Sequence, residues 1–162
     1  MDIREIRLQE IRLVGISEKT SNQEELNPKT AKIGVTLERY FKNNLAEKIS
    51  KRIKPVVTYC VYTNYATEEK GPYTYFVGEA VNSFEGQVST LSTLTIPSQR
   101  YAELNIGPGK MPEICIKAWQ DIWTMSPDTL GGVRSFVADF EVYGEKAKNP
   151  EKAAFSIYIG LK

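Results

Sequence analysis

"RSFVADFEVYG", residues 134–144, and "AAFSIYIGLK", residues 153–162, are two strand-like runs joined by the polar link "EKAKNPEK". Side chains alternate between the two faces of a strand. In the first run Ala138, Phe140 and Val142 therefore form an apolar row, while Asp139, Glu141 and Tyr143 form a row of two acids and a phenol. In the second run Phe155, Ile157, Ile159 and Leu161 form the apolar row, opposite Ala154, Ser156, Tyr158 and Gly160. Both runs read as half-buried strands of an antiparallel sheet, and the fold depends on what covers each face.

Working back along the chain, the same order of elements occurs twice. "IREIRLQEIRLVGISEKT" alternates loosely from Ile6 to Ser17 and reads as a strand. Asn27 and Pro28 suit a helix cap and first helical position. Ile33, Leu37, Tyr40, Phe41 and Leu45 keep helical spacing before Pro55. "VVTYCVYTNYA" and "PYTYFVGEAV" then read as a hairpin across "TEEKG". After "STLTIPSQRYAELNIG", strand material broken at Pro97, the segment "GPGKMPEICIKAWQDIW" becomes a helix near Pro112, and "SPDTLGGV" is a loop before the two closing strands. The expectation is one domain over residues 1–162 of the α+β class. It is a tandem β-α-β-β pseudo-repeat, with two helices on one face of an antiparallel sheet and a ligand pocket on the other. The row Phe155–Leu161 suits the helix side. On this reading Asp139, Glu141, Tyr143 and Tyr158 all project from the uncovered face, with Asp139 at the rim.

Composition narrows the chemistry. The chain has no histidine, which excludes histidine-dependent triads and His-ligated metals. Two distant cysteines, Cys60 and Cys115, cannot form a thiolate zinc site and read as free thiols of a reducing compartment. Accordingly no catalytic residue, cofactor or metal is assigned. A net charge of +1 argues against a nucleic-acid or anionic-membrane partner. The basic run "KISKRIK" reads as a solvated helix end, and "GPGK" lacks the remainder of a phosphate loop. The N-terminus carries charges throughout, unlike a signal peptide, and no run reaches the length of a membrane span, so a cytoplasmic location is expected.

Five stretches carry a resemblance. "GPYTYFVGEAV", "LTIPSQRYAELNIGPG", "AWQDIW", "FEVYG" and "FSIYIGL" resemble, in order and spacing, the motifs of the GyrI-like or AraC-type effector-binding domains. Gly160 departs from the pattern, standing where the family usually has proline. The resemblance implies a sensor-type protein binding a small organic molecule, often a bulky aromatic cation. It makes Glu141 the buried counter-ion and Tyr158 a pocket aromatic, with Tyr73 and Tyr75 as further walls. Trp119 and Trp123 suit either ligand wall or core, and Tyr143 either the site or solvent. Because the first strand begins close to Met1, a stand-alone protein without a DNA-binding domain is expected. Two other classes stay open: a hydrolase with Glu141 as base and Tyr158 as donor, and a protein-interaction module of the gyrase-inhibitor kind.

Overall fold

The computed structural model describes residues 2–162. The elements are β1 (Asp2–Leu8), β2 (Ile11–Thr20), α1 (Asn22–Glu25), α2 (Ile33–Lys42), β3 (Thr58–Thr63), β4 (Tyr73–Ala80), β5 (Ser92–Ile96), β6 (Gln99–Gly109), α3 (Glu113–Thr124), α4 (Pro127–Leu130), β7 (Arg134–Tyr143) and β8 (Ala153–Leu161). All eight strands form one sheet in the order β1-β6-β8-β7-β3-β4-β2-β5, and every neighbouring pair is antiparallel. Exchanging β1 to β4 for β5 to β8 reverses that order and reproduces it. The pseudo-repeat is thus a pseudo-two-fold about the central β7–β3 pair.

Two short links within the halves shape the sheet. Two residues, Gln9 and Glu10, join β1 to β2, and Pro97 and Ser98 join β5 to β6. A two-residue link spans roughly 10 Å. Six strand spacings separate its ends in the sheet order, roughly 29 Å if the sheet were flat. The sheet therefore rolls until its edges approach. Its helix-free face becomes an interior of its own, where Leu13, Val61, Phe76, Tyr101 and Phe140 are all 2% exposed or less.

The helices cover the other face. Helix α2 lays Thr36 and Tyr40 on a cluster that includes Val14, Cys60, Tyr75 and Val77, and α3 lays Ala118 and Ile122 on Leu104, Ile157 and Ile159. The row Phe155, Ile157, Ile159, Leu161 does face the helices.

Local departures from the sequence reading have local causes. The first strand is two strands, because Gln9 and Glu10 turn the chain from one half-sheet to the other. Asn27 does not cap the long helix: its Oδ1 accepts from Lys29 N in a turn after α1. The cap of α2 is instead the Glu25 carboxylate, which accepts from Lys32 N and Ile33 N at 2.8 and 3.2 Å, a negative charge at a helix N-terminus. The stretch "SPDTLGGV" contains α4, started by Ser126, whose Oγ accepts from Thr129 N at 3.2 Å. The run "KISKRIK" leaves a 3-10 turn (Leu45–Lys48) and brings Arg52 to 3.6 Å from Glu79.

Candidate functional site

Strand β7 lies at the centre of the sheet, between β3 and β8, so its side chains have neighbours on both sides. Its alternation is as read, with Asp139, Glu141 and Tyr143 sharing a face. That face is the one under the helices, opposite to the expectation. Glu141 pairs with Cys60 on one side and Ile157 on the other, both of them residues of the helix-covered clusters. The physical reason is the roll of the sheet. Ala138 and Phe140 are buried by other strands, so an apolar row did not need helices to cover it.

The Glu141 carboxylate is closed over by neutral donors. Trp119 Nε1 of α3 donates to Oε2 at 2.7 Å, Tyr62 OH of β3 donates to the same oxygen at 2.8 Å, and Tyr143 OH donates to Oε1 at 2.6 Å. The Cys115 thiol of α3 lies 3.7 Å from Oε2. Among the described residues no ion pair involves Glu141, which is 3% exposed. Burial raises its pKa above the ordinary carboxylate value, and the four donors hold it back only in part. The same burial, reinforced by the Glu141 charge, lifts the Tyr62 and Tyr143 hydroxyls and pushes the Cys115 thiol up to about 12. These groups therefore stay protonated and act as donors, and Cys115 is not a reactive thiolate.

Aromatic rings wall the carboxylate. The Trp119 indole meets Tyr62 edge-on at 5.1 Å, and Tyr62 in turn meets Tyr75 at 5.4 Å and Tyr73 at 5.8 Å. Tyr143 stacks on Phe155 at 4.7 Å. Of the residues expected in the site, the structure brings together Glu141, Tyr143, Trp119, Tyr75 and Tyr73. It does not bring in Tyr158, which faces the strand-lined interior, stacked on Phe140 at 4.8 Å with its hydroxyl donating to Glu103 at 2.7 Å. Trp123 is also apart, 54% exposed on the outer side of α3. Asp139 is not at a rim but fully buried, accepting from Arg134 Nη2, Tyr65 OH and Gly160 N at 2.7, 2.6 and 2.8 Å. On the opposite face Glu103 is already paired with Arg4 at 2.6 Å, and an open groove of about 780 Å³ at the ends of β6, β7 and β8 is lined by Val142, Ala154, Ser156, Lys146 and Lys152, among others.

Two participants were missed, Tyr62 and Cys115. Alternation in "TYCVYT" puts Tyr62 and Cys60 on one face of β3, but only the β3–β7 pairing across the halves brings that face to Glu141. Cys115 stands one helical turn before Trp119, and i, i+4 residues share a helix face.

Fold and site together define the effector-binding type: two β-β-α-β-β halves in one rolled sheet, with the buried Glu141, which has no ion-pair partner among the described residues, under α3. The chain belongs to the family of integron-associated effector-binding proteins, Cass2, whose model matches residues 6–161. It is 28% identical over 151 residues, 93% of this chain and 92% of the relative, to the Bacillus subtilis (strain 168) protein named "Putative transcriptional regulator protein YobU". Among solved structures it resembles the integron cassette protein VCH_CASS2 from the mobile metagenome of Vibrio cholerae, with TM-score 0.78, 22% identity and coverage of 99% of this chain and 95% of that one. It equally resembles SAV2435 bound to tetraphenylphosphonium, with TM-score 0.78, 16% identity and coverage of 100% and 94%. The resemblance to effector-binding domains is borne out, as is the α+β sheet-and-helix architecture. No helix among the described residues is long and apolar enough to cross a membrane.

Proposed function

We propose that this protein binds a lipophilic aromatic cation, with Glu141 as counter-ion and Trp119, Tyr62 and Tyr143 as the nearest walls. Tyr73 and Tyr75 back Tyr62 from behind. One observation carries the reading: Glu141 is buried among aromatic rings with three strong donors and, among the described residues, no ion-pair partner. Taking a carboxylate out of water is costly unless a charge partner compensates it, and a cation does so better than neutral donors. Ring faces add roughly 0.5–2 kcal/mol each through cation–π attraction. The tetraphenylphosphonium held by SAV2435, a protein of the same fold, is a ligand of this chemistry.

Entry requires α3 to shift or Trp119 to swing aside, since both lie over the carboxylate. Such a protein would serve as the effector-sensing or sequestering partner of a regulatory system. Hydrolysis is less well supported, because the donors occupy both carboxylate oxygens that would have to activate water.

Tetraphenylphosphonium and tetraphenylborate share one shape and carry opposite charges, so together they test the reading. Calorimetry should detect the cation and not the anion, and the cation should raise the melting temperature. Equal binding of both ions, or of neither, would refute it.

A further inference from the structure

Strand β7 presents a second buried acid to the same layer, and this one already holds a cation. Asp139 stands two residues before Glu141 on the same face, and its Cα partner on β3 is Tyr62, whose hydroxyl reaches forward to Glu141. Arg134 Nη2 lies 2.7 Å from Asp139 Oδ2, and the Arg134 guanidinium carbon lies 4.2 Å from the centre of the Phe136 ring. Tyr65 donates to the same oxygen and packs edge-on to Phe136 at 5.5 Å. Rings then continue without a break from Tyr65 to Tyr73 at 5.8 Å, from Tyr73 to Tyr62, and from Tyr62 to Trp119 over Glu141. The Asp139 end thus shows, with the protein's own guanidinium, an acid, a cation and an aromatic ring together, whereas among the described residues Glu141 has the acid and the rings but no ion-pair partner.

We infer that Arg134 sets the charge of the ligand: by neutralising Asp139 it leaves one free negative charge in the aromatic layer, so that the site selects singly charged aromatic cations over doubly charged ones. This rests on the reading of Glu141 as counter-ion. Without Arg134 the layer would hold two acids on one strand face and no guanidinium beside either of them. Residues two apart on a strand are separated by roughly 6.6–7 Å, which is also about the distance between the nitrogens of methyl viologen. The Arg134 side chain is 14% exposed and Asp139 is 0% exposed, so the pair borders the layer rather than the bulk solvent, and its charge balance is weakly screened. An ion pair that merely pinned the irregular start of β7, where the register against β8 shifts between Arg134 and Asp139, would affect stability and leave selectivity alone.

The test compares methyl viologen with N-methyl-4-phenylpyridinium, a probe of similar shape with one charge, by calorimetry on the whole chain. The wild type should prefer the single charge. In Arg134→Gln the ratio of the two dissociation constants should move toward the dication by roughly 10- to 100-fold, the scale of one charge-assisted contact. Adding Asp139→Asn to Arg134→Gln should return the ratio to its wild-type value. Asp139→Asn alone leaves Arg134 uncompensated and should weaken the monocation by roughly tenfold or more. This arm decides the matter if Arg134→Gln does not fold. Monocation binding at Glu141 with a ratio unmoved by Arg134→Gln, or with affinity unmoved by Asp139→Asn, would overturn this inference alone. Failure of both probes to bind the wild type and all variants would overturn the Glu141 reading and this one with it.

Discussion

Trp119 Nε1 donates to Glu141 Oε2 at 2.7 Å while its indole closes edge-on against Tyr62 at 5.1 Å. One side chain of α3 therefore seals both the charge and the aromatic wall. Trp123, one turn later, is 54% exposed and touches neither. A cation arriving at Glu141 must displace or stack on Trp119, so intrinsic emission should shift on binding. The shift should vanish in Trp119→Phe and persist in Trp123→Phe. The reverse pattern would move the site to the outer side of α3. Losing this bond to a charged acceptor should also lower the stability of Trp119→Phe by about 1.5–3 kcal/mol in denaturant titrations.

Protonation of Glu141 competes with the cation. Burial raises its pKa in the folded, ligand-free protein above the value in the unfolded chain. The contribution of this group to stability is therefore fully present below the unfolded pKa, and it is lost as pH rises through the folded one. Ligand affinity runs the other way, since a bound cation favours the carboxylate and affinity falls as pH drops through the ligand-free pKa. Calorimetry in buffers of different ionisation enthalpy should show protons released on binding in that window, and none for Glu141→Gln.

Much of this was legible in the chain, and the failures share one cause. Period-two alternation separated Glu141 from Phe140, because that pattern depends on near neighbours, whereas helical spacing left Trp119 and Trp123 alike as ligand wall or core. Which face of β7 the helices cover depends on how far the sheet rolls. That follows from two links, Gln9–Glu10 and Pro97–Ser98, whose brevity matters only once the strand order is known. Tyr158 was misplaced for that reason, since its alternation was right and its face was taken to be open. Tyr62 was missed because nothing local in "TYCVYT" announces that β3 pairs with β7. Arg134 was invisible because it meets Asp139 across the irregular start of the strand, where alternation no longer applies.

Gly160, where the resembling family usually carries proline, has a reason of its own. Its N–H donates to Asp139 Oδ1 at 2.8 Å, a bond proline cannot make. A Cβ there would stand 2.7 Å from Ala138 O, Gln99 Nε2 and Ser135 Oγ. Gly160→Ala should lower stability by about 1–3 kcal/mol through overpacking. Gly160→Pro should cost more, because it also strips a donor from a fully buried carboxylate. Denaturant midpoints for the two variants check the order, and a proline variant as stable as the wild type would show that Asp139 does not need this amide.

The sharpest test of the site is Glu141→Gln. The substitution keeps the volume and one carbonyl oxygen, which can still accept from Trp119 and Tyr62, while the Tyr143 hydroxyl can turn to accept from the new amide. What disappears is the charge. Affinity for tetraphenylphosphonium should then fall by roughly 10- to 150-fold, corresponding to about 1.5–3 kcal/mol. The preference for that cation over tetraphenylborate should shrink by a similar factor. Unliganded stability at neutral pH should hold or rise, because an uncompensated buried carboxylate opposes folding there. A fall in affinity accompanied by a fall in unliganded stability would point to damage to the α3–β7 contact instead. Unchanged affinity and unchanged ion preference would mean that the Glu141 charge plays no part in binding, leaving the three donors around it as a structural lock between sheet and helix.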